Sequence, residues 1–186
     1  TRSAQQIGEL SVGGPIQYVD FSKDGEHLLL REQRDGQSLT SFIPLSSNTS
    51  DLNLWASGHT RSKFLDEKRF GVVHLNDLRV YRIGEDSPAF VLKGHDTTLE
   101  DFVVLPQNRL ATISHDRYLN IWDATTGELL SRQESEVFPV LTVALSSDGS
   151  RLAVGSSGGT VKLWDTTSIP LREVLRLPVG YSVIKI

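Results

Sequence analysis

The sequence has no cysteine and no methionine among its 186 residues. Without cysteine, neither a disulfide framework nor a thiolate metal site can form. This is compatible with the cytoplasm, where we expect the protein, although it does not exclude export. The absence of methionine predicts that the chain is a processed product or a piece of a longer polypeptide.

Long apolar runs and an excess of basic charge are also missing. No stretch reaches the ~18 apolar residues of a membrane span, and no secretory signal peptide is visible. The formal net charge is -4. It argues against nucleic acid or an anionic membrane surface as the main partner, because both favour a basic footprint.

Two similar hairpin sequences indicate an internal repeat. They read FSKDGEHLLL at 21–30 and LSSDGSRLAV at 145–154. In each, Asp-Gly between two apolar strands supplies the positive φ that a tight hairpin needs. Asp24 and Asp148 lie 124 residues apart, which is three periods of about 41 and is typical of propeller blades.

A second marker recurs at the same period. Four segments alternate apolar and polar residues around one aromatic residue, as a half-buried strand does. The aromatic residues are spaced by 39, 41 and 42 positions, and they are Phe42, Tyr81, Trp122 and Trp164. The spacing predicts four repeats, each with strands a, b, c and d.

The third repeat allows the strands to be placed. We predict them at 99–105, 109–114, 118–123 and 128–133, with turn-forming residues between them. No window shows amphipathic helical periodicity, so the predicted fold class is all-β.

Residues of this third repeat resemble the WD-repeat family. They are Gly94-His95, Ser114, Asp116 and Trp122-Asp123, with 21 residues from His95 to Asp116 and six from Asp116 to Trp122. The resemblance implies a structural tetrad of His95, Ser114, Asp116 and Trp122 that links the d–a loop, the b–c turn and strand c. It also implies a β-propeller, and about seven blades are expected when the ring is complete.

The other repeats depart from this pattern. The fourth keeps Ser156 and Trp164, but Gly158 stands where the tetrad aspartate would be. The second contains His59, which lies only 22 residues before Tyr81, against 27 from His95 to Trp122. The first repeat has no tetrad, so only the third is expected to carry one.

We therefore predict a partial propeller of about four four-stranded blades. Residues 1–10 are expected to form strand d of a preceding or closing blade, and 178–186 the first strand of a fifth. The blades between them are placed at 11–48, 49–92, 93–134 and 135–177. Bare sheet faces at the two ends invite association, so we expect remaining blades from the same chain, a second copy or another subunit to cover them.

The chemical alternatives are weaker than the structural ones. Ser114, His95 and Asp116 have the composition of a hydrolase triad, but no nucleophile elbow surrounds the serine. His74 and His115 occupy similar places in successive blades, about 10 Å apart, which is too far to share a zinc ion at ~2.0–2.1 Å. We predict no catalytic residues, no metal and no cofactor.

The resemblance implies a protein-interaction scaffold, because partners of the family dock on the face formed by the d–a and b–c loops. The matching candidate residues are Arg34, Asp96, Thr97, His115, Arg117 and Phe138. The expected partner is a protein or peptide. Two other hypotheses remain open: a regulatory or ligand-sensing module appended to an enzyme or signalling protein, and a propeller enzyme with a site in its central channel.

Overall fold

The structure is a computed structural model that describes residues 12–45, 53–56, 61–135 and 139–178. These residues contain sixteen strands and no helix. The strands form four four-stranded antiparallel sheets, each built from four consecutive strands. The all-β prediction is confirmed. The strand predicted at 1–10, the strand predicted at 178–186 except for Pro178, and the residues His59 and Phe138 lie outside the described residues.

Each sheet runs through strands a to d in chain order. The first contains β1 (Ile16–Phe21), β2 (His27–Arg34), β3 (Gln37–Pro44) and β4 (Asn53–Ala56). The second contains β5 (Ser62–Phe64), β6 (Arg69–His74), β7 (Asp77–Arg82) and β8 (Pro88–Leu92). The third contains β9 (Leu99–Leu105), β10 (Arg109–Ser114), β11 (Tyr118–Asp123) and β12 (Leu129–Glu134). The fourth contains β13 (Val140–Leu145), β14 (Arg151–Ser156), β15 (Thr160–Asp165) and β16 (Arg172–Pro178).

The strand bounds predicted for the third repeat are confirmed, and only the last strand is shifted by one residue. Two blade boundaries differ from those predicted. β4 lies within the range 49–92 but pairs with β3, Leu39 opposite Ala56, so the first sheet extends to residue 56. Pro178 pairs with Thr160 and therefore belongs to the fourth sheet.

The two Asp-Gly hairpins close in the same way. Gly25 and Gly149 both have φ of 73°, which favours glycine. Oδ1 of Asp24 accepts from the main-chain N–H of Glu26 at 3.0 Å, and Oδ1 of Asp148 accepts from that of Ser150 at 3.0 Å. The sequence similarity that predicted the repeat thus corresponds to one recurring turn.

Neighbouring sheets pack face to face through three apolar clusters. Their first strands adjoin one another, β1 beside β5 and β9 beside β13, so strand a is the inner strand of each sheet. One cluster joins the first and second sheets, another the second and third, and the last the third and fourth. Because each sheet buries both faces only when it has two neighbours, the two terminal sheets each keep one outer face.

The aromatic anchors of strand c do not all face the same way. Tyr81, Trp122 and Trp164 each pair with the second residue of strand b and pack towards the preceding sheet. Phe42 pairs instead with Leu29, the third residue of β2. The prediction that Phe42 is the counterpart of the tryptophans is therefore wrong by one residue.

A shift of one residue reverses the direction of a side chain in a strand. Phe42 accordingly points forward, towards the second sheet, and its ring stacks on that of Phe70 with 5.7 Å between centroids. The position equivalent to Trp122 is occupied by Ile43, which pairs with Leu28. The first interface is therefore filled by aromatic rings from both sides.

An arginine at the first residue of strand b ties each inner sheet to the next. Nη2 of Arg109 donates to the main-chain carbonyl of Thr166, in the fourth sheet, at 2.7 Å. Nη1 of Arg69 donates to the carbonyl of Ala124, in the third sheet. Both acceptors lie two residues after the tryptophan of their own strand c, so the contact repeats with the fold. Arg151 holds the same position in the fourth sheet.

Candidate functional site

The d–a loop and the b–c turn of the third sheet meet at Asp116. Its Oδ2 atom lies 2.9 Å from Nδ1 of His95 and accepts from the main-chain N–H of Asp96 at 3.0 Å. Its Oδ1 atom accepts from the main-chain N–H of Tyr118 at 3.0 Å. One carboxylate therefore fixes the loop, the turn and the start of β11.

A buried hydrogen-bonded chain continues inward from His95. Nε2 of His95 lies 2.8 Å from Oγ1 of Thr112, and Nε1 of Trp122 donates to that same oxygen at 2.8 Å. A neutral imidazole has one donor and one acceptor nitrogen. Every polar group is satisfied if Trp122 donates to Thr112, Thr112 donates to Nε2 of His95, and Nδ1–H of His95 donates to Asp116.

The protonation states follow from the same environment. Burial lowers the pKa of His95 and outweighs the opposing effect of the Asp116 carboxylate. Burial alone would raise the pKa of Asp116, but hydrogen bonds from the main chain of Tyr118 and Asp96 and from His95 hold it below its usual value. The pair is therefore a neutral imidazole beside an ionised carboxylate at neutral pH.

Ser114, which the resemblance includes in the tetrad, does not link His95 to Trp122 in this hydrogen-bonded chain. Its hydroxyl lies within 3.0 Å of the carbonyls of Thr97 and Thr98, and its oxygen accepts from the N–H of Asp116. Thr112 takes the linking position instead. Both residues lie on the same face of β10, two positions apart, so alternation alone cannot distinguish them.

The charged rim of this loop face surrounds the buried chain. Arg132, on β12, pairs with the exposed carboxylate of Asp96, and its Nη1 atom donates to the carbonyl of Gly94 at 2.9 Å. Its guanidinium also lies over the ring of Tyr118, 4.1 Å from the centroid, in a cation–π arrangement. Sequence reasoning did not select Arg132, because nothing in its local sequence distinguishes it from any other strand arginine.

Three other predicted binding residues lie on the same loops. Nε2 of His115 pairs with Glu100 at 2.9 Å and keeps a partly exposed ring. Arg117 is exposed at φ 72°, a conformation set by the tight b–c turn. Thr97 is exposed, and its Oγ1 lies 3.0 Å from that of Ser114. The structure thus gathers Asp96, Thr97, His115 and Arg117 on the loop face of one sheet.

Arg34 lies apart from this group, at the end of β2 in the first sheet. Its Nη2 atom pairs at 2.6 Å with the buried carboxylate of Glu32, which also accepts from the N–H of Gly14 at 3.2 Å. Much of the Arg34 charge is therefore used to neutralise Glu32. The last candidate, Phe138, lies outside the described residues.

The fourth sheet lacks the buried chain. Val154 stands at the position of Thr112, and Gly158 at that of Asp116. Within the part of the chain that the structure describes, Nε1 of Trp164 and Oγ of Ser156 are buried without a hydrogen-bond partner. The fourth sheet thus lacks the polar residues that form the buried chain in the third sheet, as the sequence of the fourth repeat predicts.

The arrangement around Ser114 is suited to holding the fold. Its oxygen is buried, with the hydroxyl directed at main-chain carbonyls, whereas a nucleophilic serine needs an accessible oxygen beside a base. Among residues 12–45, 61–135 and 139–178, no three His, Asp or Glu side chains are grouped as metal ligands would be. Nor does the described part of the chain contain a helix long and apolar enough to cross a membrane.

A comparison with protein families finds one match. Residues 128–165 match the model of the WD domain, G-beta repeat. This stretch contains β12 of the third sheet and β13 to β15 of the fourth. The sequence repeat thus spans the last strand of one sheet and the first three strands of the next.

Similar stretches occur in three curated proteins with different names. The chain is 32% identical over 84 residues to apoptotic protease-activating factor 1 of Rattus norvegicus, which covers 45% of this chain and 7% of the relative. It is 23% identical over 164 residues to U3 small nucleolar RNA-associated protein 7 of Saccharomyces cerevisiae, covering 81% and 27%. It is 24% identical over 98 residues to APC/C activator protein CDC20 of the same yeast, covering 53% and 15%.

The aligned regions span between 7% and 27% of these three relatives, so the comparisons bear on the repeat and not on the whole proteins. The matched repeat, the four-stranded sheets and their common period agree with one another. Residues 128–165 thus match a WD repeat, and the four four-stranded antiparallel sheets have the form of blades of a partial β-propeller.

Proposed function

We propose that this chain is a non-catalytic scaffold that binds a protein or peptide through the loop face of its third sheet. The observation that carries the proposal is the charged rim around the tetrad region. Asp96 and Arg117 on the loops, and Glu100 and Arg132 on the adjoining strands, place charges of both signs around Asp116, and His115 adds a partly exposed imidazole. Such a rim suits a partner with complementary charges.

Support for a binding role comes from how the polar atoms are used. The side-chain groups that could act in a reaction are buried and hydrogen-bonded to each other or to the main chain. They are the imidazole of His95 and the hydroxyls of Thr112 and Ser114. The groups left at the surface are the exposed side chains of Asp96, Thr97, His115 and Arg117. Preorganised loops lower the entropy lost on binding.

Further propeller blades are a second kind of partner for this chain. We propose that further blades, from the same chain, a second copy or another subunit, cover the outer faces of the first and fourth sheets. The net charge of -4 supports protein over nucleic acid as the partner. The absence of cysteine is compatible with the cytoplasmic location that we propose.

A regulatory or ligand-sensing module within a larger protein is the alternative. It is favoured by the similarity to apoptotic protease-activating factor 1, whose name describes the activation of a protease and of which the aligned region is 7%. A sensing role would require that a ligand at the loop face changes the activity of a neighbouring domain. Measuring that activity with and without the Asp96→Lys substitution would separate it from a passive scaffold.

The scaffold role can be tested by quantitative capture of binding partners. The double variant Asp96→Lys with Arg117→Glu reverses two rim charges; it removes the surface ion pair of Asp96 with Arg132 and leaves the buried side chains of the hydrogen-bonded chain unchanged. The control is Lys68→Glu, in the exposed a–b turn of the second sheet, at the opposite strand ends. We expect the double variant to lose partners that the control keeps, at unchanged melting temperature. Equal partner sets for both variants would contradict the proposal.

A further inference from the structure

One position of strand a carries a polar side chain in each of the four sheets. By strand pairing this position lies beside the fifth residue of strand b, and its residues are Tyr18, Arg61, Asp101 and Thr142. Strand a is the inner strand of each sheet. Because Tyr18, Asp101 and Thr142 are each the third residue of their strand, the position lies in the half of strand a that adjoins the loop face. The inner edge of the sheets is therefore polar near that face.

Two cations that precede or lie on β5 share one buried carboxylate at this edge. Oδ2 of Asp101 accepts from Nη1 of Arg61 at 3.1 Å, and its Oδ1 atom accepts from Nζ of Lys63 at 2.7 Å. Nζ of Lys63 also donates to the carbonyl of Phe102 at 2.9 Å. The Asp101 side chain is 1% exposed, whereas that of Arg61 is 44% exposed. Arg61 is therefore the more accessible of the two cations, and its guanidinium has further N–H donors.

The first sheet adds a third cation and a phenol. Arg31 pairs with Tyr18 across β1 and β2, and its guanidinium carbon lies 6.0 Å from the centre of the Tyr18 ring. Burial, followed by the like charge of Arg61, lowers the pKa of Arg31. Burial, followed by the charges of Asp20 and Asp101, raises the pKa of Tyr18. The phenol is therefore neutral at pH 7 and has a proton to donate.

We call this group the inner-edge cluster, and its members are Tyr18, Arg31, Arg61, Lys63 and Asp101. Arg61 and Lys63 share the one charge of Asp101, and Arg31 adds a like charge that acts on Arg61. The other carboxylate that acts on Tyr18 is Asp20, and one of its oxygens accepts from the main-chain N–H of Phe64 at 3.1 Å. Positive charge is thus concentrated around Arg61, in a chain whose net charge is -4. A bound anionic group would offset the repulsion between the two arginines.

We propose that the inner-edge cluster binds a carboxylate side chain of an acidic peptide, with Arg61 as its main contact. A guanidinium matches a carboxylate with two parallel N–H donors, and the hydroxyl of Tyr18 supplies a further donor. A doubly charged phosphate is commonly held by main-chain N–H groups at a helix N-terminus, and the described residues contain no helix. The proposal deepens the scaffold role and rests on it, because the peptide reaches the cluster from the loop face.

The first test is titration of the protein into a hexaglutamate peptide that carries an uncharged dye, followed by fluorescence anisotropy. We expect saturable binding of hexaglutamate and none of hexaglutamine. Arg61→Gln should raise the Kd at least about fivefold at an unchanged melting temperature, because Lys63 still neutralises Asp101. Lys23→Gln is the control, since it removes the same charge from the exposed a–b turn of the first sheet, at the opposite strand ends. Its Kd should equal that of the unaltered protein.

Two further variants separate binding from folding. Arg61→Lys keeps the positive charge, and we expect it to recover most of the affinity that Arg61→Gln loses. Tyr18→Phe keeps the ring beside Arg31 and removes only the hydroxyl, so the Kd should rise about threefold. A merely structural role for these side chains would change the melting temperature and leave the Kd of the folded protein unaltered, which would overturn the proposal.

Three other results would overturn it. They are equal Kd values for Arg61→Gln and Lys23→Gln, equally tight binding of hexaglutamine, and displacement of the peptide by inorganic phosphate at concentrations far below those of acetate. The scaffold role is tested separately by partner capture with the Asp96→Lys, Arg117→Glu double variant. Partners lost by that variant, together with no hexaglutamate binding by the unaltered protein, would overturn the acidic-peptide site alone. Hexaglutamate binding at Arg61 without any loss of partners would contradict the scaffold role alone.

Discussion

Nδ1 of His95 lies 2.9 Å from Oδ2 of Asp116, and this contact fastens the d–a loop of the third sheet to its b–c turn. The same carboxylate oxygen accepts from the main chain of Asp96. The loops of the binding surface that we propose are therefore fixed in place by the buried carboxylate of Asp116, which does not itself face a partner. Its strength can be measured through stability, independently of any ligand.

Removal of the imidazole should destabilise the fold. His95→Ala leaves the Asp116 carboxylate without one donor and Thr112 without its acceptor, so we expect a loss of about 2–4 kcal/mol in the free energy of unfolding. The measurement is urea denaturation followed by tryptophan fluorescence. His115→Ala, which removes a partly exposed ring, is expected to cost less than about 0.5 kcal/mol. Similar costs for both variants would contradict the structural role of His95.

Acidification should weaken the protein through this pair. The pKa of His95 is lowered in the folded state below its ordinary value of 6.5, so protonation favours the unfolded chain. The stability that the neutral imidazole of His95 contributes is present above pH 6.5 and is lost as the pH falls through the folded-state pKa. The lowered pKa of Asp116 acts in the same direction, below its ordinary value of 3.8.

The pH effect can be assigned with a residue that does not titrate. His95→Gln keeps one donor and one acceptor, and it should remove the dependence that begins near pH 6.5 while leaving the acid limb below about pH 4. Urea midpoints between pH 8 and pH 3 give the comparison. If the substituted chain loses stability over the same interval as the unaltered chain, His95 is not the responsible group.

Thr112 and Ser114 should differ in what their loss disturbs. Thr112→Val keeps the shape and removes the hydroxyl between His95 and Trp122, with an expected cost of about 1–3 kcal/mol. The indole N–H resonance of Trp122 should shift, because its acceptor is gone. Thr112→Ser is expected to restore both quantities in large part. Ser114→Ala should leave that resonance in place.

The contact between the third and fourth sheets should depend on Arg109. Arg109→Met removes the donor to the carbonyl of Thr166 and leaves that oxygen unsatisfied, at an expected cost of about 1.5–3 kcal/mol. Calorimetry and hydrogen exchange at the start of β14 are the measurements. Arg117→Met is the control, since Arg117 lies at an exposed turn. If Arg109→Met lowers the free energy of unfolding no more than the control does, the hydrogen bond from Arg109 to Thr166 does not stabilise the contact between the two sheets.

Much of the fold could be predicted because turn chemistry and alternation repeat along the chain. The Asp-Gly turns and the Trp-Asp ends of strand c are local signals, and they placed the strands of the third sheet to within one residue. Phe42 could not be placed the same way. The true register differs by one residue, as the pairing of Phe42 with Leu29 and its packing on Phe70 show.

The site was less predictable for a different reason. Thr112 and Ser114 face the same way on one strand, and the choice between them depends on where the d–a loop places the ring of His95. Arg69 and Arg109 reach main-chain carbonyls, which have no sequence signature at all. Contacts of this kind become visible only when neighbouring sheets are seen together.

The family match at 128–165 begins in one sheet and ends in the next. Each unit of sequence therefore connects two neighbouring sheets, because it contains the outer strand of one sheet and the first three strands of the next. Copying such a unit would lengthen the arc by one whole sheet, and removing it would join strands a to c of one sheet to strand d of the next, which shortens the arc by one whole sheet. The offset therefore lets the number of sheets change in whole steps.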